Sequence, residues 1–239
     1  MTKVLQSFSS FWKTLSSQQS RLLHMSSPIT PILHLKRPYR AILFDMDGTL
    51  LDSHVAVERV WRDWAVAFGR DSAPIMKVCH GRRTIDTVRE FAIPGLDVEA
   101  EVRKIEALEI ADTDGIVPIA GAAELLARLP SDRWAVVTSA SRALATARLT
   151  AAGLPIPALM INSEHVTRGK PDPEGYNKGA SLLGTTADQC LLFEDAPAGI
   201  EAGLRAGSDV IAISAARPFP FEAGCPEVLD YHHVQFELA

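Results

Sequence analysis

Short apolar runs alternating with helix-patterned stretches constrain this 239-residue chain more than any other feature. The runs at 41–44, 134–138, 159–162, 190–193 and 209–213 have the length and composition of buried strands. Between them, residues 122–129, 142–152, 173–183 and 199–206 carry helical periodicity, and Gly153, Gly184 and Gly207 stand where helices end. Parallel strands need a crossover between them, and a helix supplies it. The alternation therefore predicts an α/β fold built on a Rossmann-like parallel sheet.

The rhythm breaks once, because residues 53–118 contain no convincing strand. Val57, Val60, Trp61, Trp64, Ala65 and Phe68 recur at helical spacing, and further helical patterns run through 84–91 and through Val98, Val102, Ile105 and Leu108. This insertion predicts a small α-helical cap domain over the C-terminal edge of the sheet, where open α/β folds place their ligands. The core would comprise 38–52 and 119–239, with Trp61 and Trp64 inside the cap and not on a sugar-stacking face.

The first strand ends in Asp45-Met46-Asp47-Gly48-Thr49. Two carboxylates at the mouth of a core strand repel each other and are costly to desolvate, so they call for a cation. A calcium loop fails on spacing: counted from Asp45, position 6 is Leu50 where glycine is needed and position 12 is Ala56 where glutamate is needed. A hard metal such as Mg²⁺ and phosphoryl chemistry fit better. The strand at 134–138 ends in Thr138-Ser139-Ala140, hydroxyls and free N–H groups suited to cradling a phosphate, although the same residues make an ordinary helix N-cap. Lys170 lies in a loop stiffened by Pro171 and Pro173, and the run at 190–193 leads into Glu194-Asp195. Lysine in a rigid loop suits the neutralisation of transferring phosphoryl oxygens.

Together these four strand-end motifs resemble the haloacid dehalogenase superfamily of phosphatases, over about residues 40–235. His80-Gly81-Arg82-Arg83-Thr84, 134–139, 169–176 and 193–199 are similar to glycerol-phosphate, deoxysugar-phosphate and bacterial hexose-phosphate phosphatases of that superfamily. The resemblance implies Asp45 as nucleophile, forming an aspartyl-phosphate, and Asp47 as acid and then base. It implies Mg²⁺ held by the Asp45 carboxylate, the Asp47 main-chain carbonyl and Asp195, with Glu194 as a further or water-mediated ligand. Thr138, the Ser139 and Ala140 N–H groups and Lys170 would bind the phosphoryl oxygens. Ala140 stands where close relatives commonly have glycine, which leaves the N–H available. In the cap, His80 and one of Arg82 and Arg83 are expected to face a small phosphorylated polyol or sugar. A β-phosphoglucomutase-like phosphotransferase shares the core motifs, and a receiver-like phospho-acceptor domain is the non-enzymatic alternative.

Charge is unevenly spread. Residues 1–40 hold six Lys or Arg and no acid, so 18 bases face 29 acids in the remainder, a net charge of −11 that disfavours nucleic acid as a partner. No G-x-G-x-x-G follows the first strand and no apolar run is long enough for a membrane span, while the family resemblance and the separate cap make a monomer the default. Cys79, Cys190 and Cys225 lack disulfide or zinc spacing, which suits a reducing, cytoplasmic location. His232-His233 reads as a solvated tail. Residues 1–37 read as a disordered or targeting leader: eight serines in the first 30 residues and one apolar helical face match a mitochondrial transit peptide. An upstream start codon, with Met25 opening the compact chain, is the alternative.

Overall fold

The computed structural model describes residues 32–217 and 220–239. Most of the leader, including the choice between Met1 and Met25, lies outside the described residues. Six parallel strands form the main sheet: β2 (Ala41–Phe44), β5 (Trp134–Val137), β6 (Met160–Ile161), β7 (Cys190–Glu194), β8 (Asp209–Ile213) and β9 (Glu227–Val228). Their order is β6-β5-β2-β7-β8-β9, so the first core strand ends up in the centre with Ile42 paired to both Trp134 and Leu191.

Strands β2, β5, β6 and β7 are buried along their whole length, and alternate side chains separate into two clusters. Ile42, Phe44, Val136, Leu191 and Phe193 pack against Leu125 of helix α5 (Ala122–Arg128) and Leu144 and Leu149 of α6 (Arg142–Ala151). Leu43, Val137 and Leu192 pack on the opposite side against Tyr176 and Ala180 of α7 (Glu174–Leu182) and Ile200 of α8 (Pro197–Ala206). The rings of Phe44 and Phe193 stack at 5.3 Å, with Tyr231 edge-on to Phe193. Each large apolar side chain buried this way contributes about 1.5–3 kcal/mol relative to exposure.

Residues 53–116 form the helical insertion: α1 (His54–Ala67), α2 (Ala73–Met76), α3 (Thr84–Glu90) and α4 (Val98–Ala111). They enclose a cluster of their own, including Val57, Trp61, Trp64, Ile75, Val88 and Ile105. Trp61 and Trp64 meet edge to face at 5.6 Å inside it, and Trp64 Nε1 donates to Glu101 of α4 at 3.0 Å. Asp97 caps α4 by accepting from Ala100 N. Where the chain leaves and re-enters the core, β3 (Leu51–Asp52) pairs antiparallel with β4 (Val117–Pro118), a pair too short to show periodicity in the sequence.

Two expectations change. Strand β1 (Leu33–Tyr39) begins inside the stretch read as leader and pairs in parallel with β10 (Val234–Leu238). Leu33 and Leu35 pack on the core, an alternation that the neighbouring Lys36-Arg37 obscures in the sequence. His232 and His233 are not a loose tail: they lie in a single 3-10 turn capped by Asp230, which also meets His233 Nδ1 at 2.7 Å. Cys79, Cys190 and Cys225 are free thiols.

Candidate active site

Asp45, Thr138 and Glu194-Asp195 follow directly from the C-terminal ends of β2, β5 and β7, the three adjacent central strands. The order places them where connections run off to opposite sides of the sheet, the position at which open parallel sheets leave a crevice. Asp45 N still donates to Phe193 O at 3.0 Å, so the carboxylate is carried on the end of the ladder. The chain then turns sharply at Gly48, whose φ of +80° favours glycine and where a Cβ would collide with the Asp195 carboxylate. Thr49 Oγ1 donates to Asp195 Oδ1 at 2.9 Å, fixing one carboxylate by the loop of the other.

Lys170 is buried between these strand ends. Its ammonium donates to Asp45 Oδ1 and, at 2.7 Å, to Glu194 Oε1. The loop carrying it is held by the Glu174 carboxylate, which accepts from Thr167 N and Arg168 N. Glu194 is wholly buried and well supplied with donors: Tyr176 OH shares Oε1 with Lys170, while Asp195 N and Ala196 N reach Oε2 at 2.8 and 2.9 Å. These contacts make Glu194 the anchor of the lysine.

Oxygens of Asp45, Glu194 and Asp195 lie within 4.8 Å of one another. Burial pushes the Asp45 carboxyl up to about 8 against the pull of Lys170. Asp195 is raised well above the usual carboxylate range by burial, then by Glu194 and Asp45. Burial opposes the charge on Lys170, yet Asp45 and Glu194 outweigh it and hold the ammonium protonated. One ammonium cannot balance three ionised carboxylates, so Asp45 and Asp195 hold their protons more tightly unless a cation replaces them, and an all-oxygen donor set of this kind fits Mg²⁺.

The other expected residues divide. Thr138 and Ala140 are buried beside Asp45, with Ala140 N donating to Thr138 Oγ1 at 3.1 Å. Ser139 Oγ donates instead to Gly81 O in the helical insertion, at 2.9 Å. His80 lines the same cavity, 4.6 Å from the His54 ring, and burial lowers its imidazole to about 4. It is therefore neutral, and its Nε2 is buried with no hydrogen-bond partner among the described residues. Arg82 lies at the cavity edge with its guanidinium on Glu90. Arg83 turns away from Asp45: it grips Asp86 with two nitrogens and reaches the carbonyls of Val166 and Thr167.

Asp47 brings in residues that sequence reasoning missed. Ser53 Oγ donates to its Oδ1 at 2.6 Å and Arg148 Nη1 to its Oδ2 at 2.8 Å. Arg148 Nη2 lies 3.2 Å from Glu109 Oε1 of α4. Both were visible as anomalies of phase, since Arg148 shares the apolar face of α6 with Leu144 and Ala145, and Glu109 follows Ile105 by one turn.

The haloacid dehalogenase-like hydrolase family matches this chain over residues 39–207. Hexitol phosphatase A of Escherichia coli is 42% identical over 185 residues, covering 76% of this chain and 86% of the relative. Glycerol-1-phosphate phosphohydrolase 2 of Saccharomyces cerevisiae is 36% identical over 210 residues, covering 80% and 82%. Among solved structures, a hydrolase from Pseudomonas syringae superposes with a TM-score of 0.69 at 24% identity, covering 83% of this chain and 94% of that one. Carboxylates and a lysine gathered at the ends of the central strands are thus set in a chain that belongs to the haloacid dehalogenase-like hydrolases, as its motifs implied.

Proposed function

We propose that this enzyme is a Mg²⁺-dependent phosphomonoester hydrolase of small phosphorylated polyols or sugars, working through an aspartyl-phosphate. The observation that carries the reading is the convergence of the Asp45, Glu194 and Asp195 carboxylates, with the Lys170 ammonium on the first two. The names of the curated relatives, a hexitol phosphatase and a glycerol-1-phosphate phosphohydrolase, support the substrate class.

Asp45 attacks phosphorus, forming a new P–O bond as the ester P–O bond breaks. Asp47 gives its proton to the departing alkoxide oxygen, then takes one from the water that cleaves the acyl phosphate, restoring Asp45 and releasing phosphate. Lys170, Thr138 and the Ser139 N–H hold the phosphoryl oxygens, joined by the Ala140 N–H once it leaves Thr138 Oγ1. The Asp45 carboxylate, the Asp47 carbonyl and Asp195 would hold Mg²⁺, which would supply charge neutralisation for the approach of an anionic carboxylate to an anionic ester. Glu194 acts chiefly by holding Lys170.

Residues 53–118 serve as the cap, with β3 and β4 as its stem and 38–52 plus 119–239 as the core. His80 and Arg82 are the cap residues closest to substrate in this reading, and Arg83 ties cap to core. The enzyme works as a monomer in the cytoplasm, or in mitochondria if the leader is a targeting segment. Among the described residues no helix is long and apolar enough to cross a membrane. Membership of a hydrolase family and the acid/base position of Asp47 speak against a receiver-like acceptor.

The test is phosphate release from glycerol, hexitol and hexose phosphates with Mg²⁺ and with EDTA. Release is expected only with the metal and is expected to vanish in Asp45→Asn. Metal-independent release, or an active Asp45→Asn, would overturn the site. Conversion of glucose 1-phosphate to glucose 6-phosphate without free phosphate would favour the phosphotransferase.

A further inference from the structure

Arg148 is a cation buried where apolar neighbours would suffice. Leu144 and Ala145, one turn earlier on the same buried face of α6, are apolar, and the Arg148 Nε finds no hydrogen-bond partner among the described residues. Desolvating a guanidinium is costly, and a well-packed apolar residue commonly does as well or better for stability. Its two terminal nitrogens explain why the charge is kept. Nη1 holds Asp47 Oδ2 at 2.8 Å, and Nη2 faces Glu109 Oε1 at 3.2 Å. Arg148 and Asp47 belong to the sheet layer, whereas Glu109 belongs to α4 in the helical insertion. A guanidinium is a rigid fork, so the two carboxylates are held in fixed relation through one planar group.

We propose that Arg148 is the positioning residue for Asp47, and that Glu109 fixes Arg148 from the helical insertion, so that the acid/base carboxylate is aligned only when α4 is seated against α6. The proposal rests on the acid/base role given to Asp47 in the phosphatase reading. Ser53 Oγ, at the start of the insertion, holds the other Asp47 oxygen. Both oxygens are thus fixed from the junction between the two layers. Without Arg148 the carboxylate keeps only the Ser53 contact and can rotate away from the ester oxygen. The step at stake is proton transfer: Asp47 takes a proton from solvent on the oxygen facing Ser53, whose hydroxyl can accept as well as donate, and passes it to the ester oxygen as that oxygen leaves phosphorus with its electron pair; the carboxylate left behind is the form that the Arg148 guanidinium favours.

Leaving groups separate this role from a merely structural one. Glycerol phosphate expels an alkoxide and needs the proton, whereas p-nitrophenyl phosphate expels a stable phenolate and does not. In single-turnover experiments with Mg²⁺ on the full chain, Arg148→Met is expected to slow glycerol phosphate cleavage roughly 100-fold while the p-nitrophenolate burst keeps its rate within about threefold. Arg148→Lys, with one point charge for two partners, is expected to recover part of the loss. Asp47→Asn should show the same pattern, and adding Arg148→Met to it should cost nothing further, because both substitutions remove one interaction. Glu109→Gln is expected to show a milder version. It carries the test if Arg148→Met melts at the assay temperature.

Equal losses on both substrates, additive losses in the double variant, or no loss at all would overturn the proposal. A wild-type enzyme that hydrolyses neither ester would instead remove the phosphatase reading and this inference with it.

Discussion

Gly199 lies so close to Glu194 that a Cβ on the glycine would overlap the glutamate carboxyl. The first turn of α8 therefore closes the pocket that holds this wholly buried side chain, and Glu194 in turn holds Lys170. Gly199→Ala is expected to push Glu194 off its donors and cost about 1–3 kcal/mol of stability. Lys170 would lose an anchor, so phosphate release should fall more than the melting temperature suggests. Urea unfolding and steady-state rates on the same preparation check both.

Lys170→Met should reveal how the buried carboxylates are balanced. Removing the one cation among Asp45, Glu194 and Asp195 leaves uncompensated charge worth about 3–5 kcal/mol of lost stability in metal-free buffer. Added Mg²⁺ should recover part of that stability, though not the activity. Denaturation with and without Mg²⁺ measures the difference, and an unaltered midpoint in EDTA would contradict the balance.

His80 predicts a pH signature. Its folded-state value of about 4 lies below the ordinary 6.5 because burial disfavours the charged ring. The unfolded chain therefore binds the proton first, and the contribution present above pH 6.5 is lost as pH falls to about 4, by up to roughly 3 kcal/mol. His80→Leu should remove this part of the acid sensitivity. The test is the difference between wild-type and variant unfolding free energies across that window, and parallel curves would refute it.

Arg83 ties the helical insertion to the loop that carries Lys170, through the carbonyls of Val166 and Thr167. Arg83→Leu is expected to cost only about 1 kcal/mol, since the links are partly exposed. Its larger effect should be on KM, with kcat less changed, because the tie holds the layers together without touching phosphorus. Limited proteolysis near Gly81 should quicken in the same variant.

Much of the candidate site was legible because its chemistry sits at strand ends. Asp45, Thr138 and Glu194-Asp195 each follow or end an apolar run, and Lys170 is marked by the prolines on its C-terminal side, so local pattern is enough to find them. Strand order was not legible: that β2 would stand between β5 and β7 depends on pairings between distant segments. Arg148 and Glu109 were missed for the same reason. Each stands out of phase on its helix, but what it pairs with appears only when the fold sets one against the other and Arg148 beside Asp47. Strand β1 was missed because the basic pair Lys36-Arg37 made a real strand look like the end of a leader.

The pairing of β1 with β10 also sets a timetable for synthesis. Leu33 finds its partner at Val234, so the first described strand leaves the ribosome long before the last one exists. Through most of translation β1 is an open edge able to recruit a strand from another chain. Its positive charges, Lys36 and Arg37, are the kind of residue that discourages such pairing while the partner is awaited.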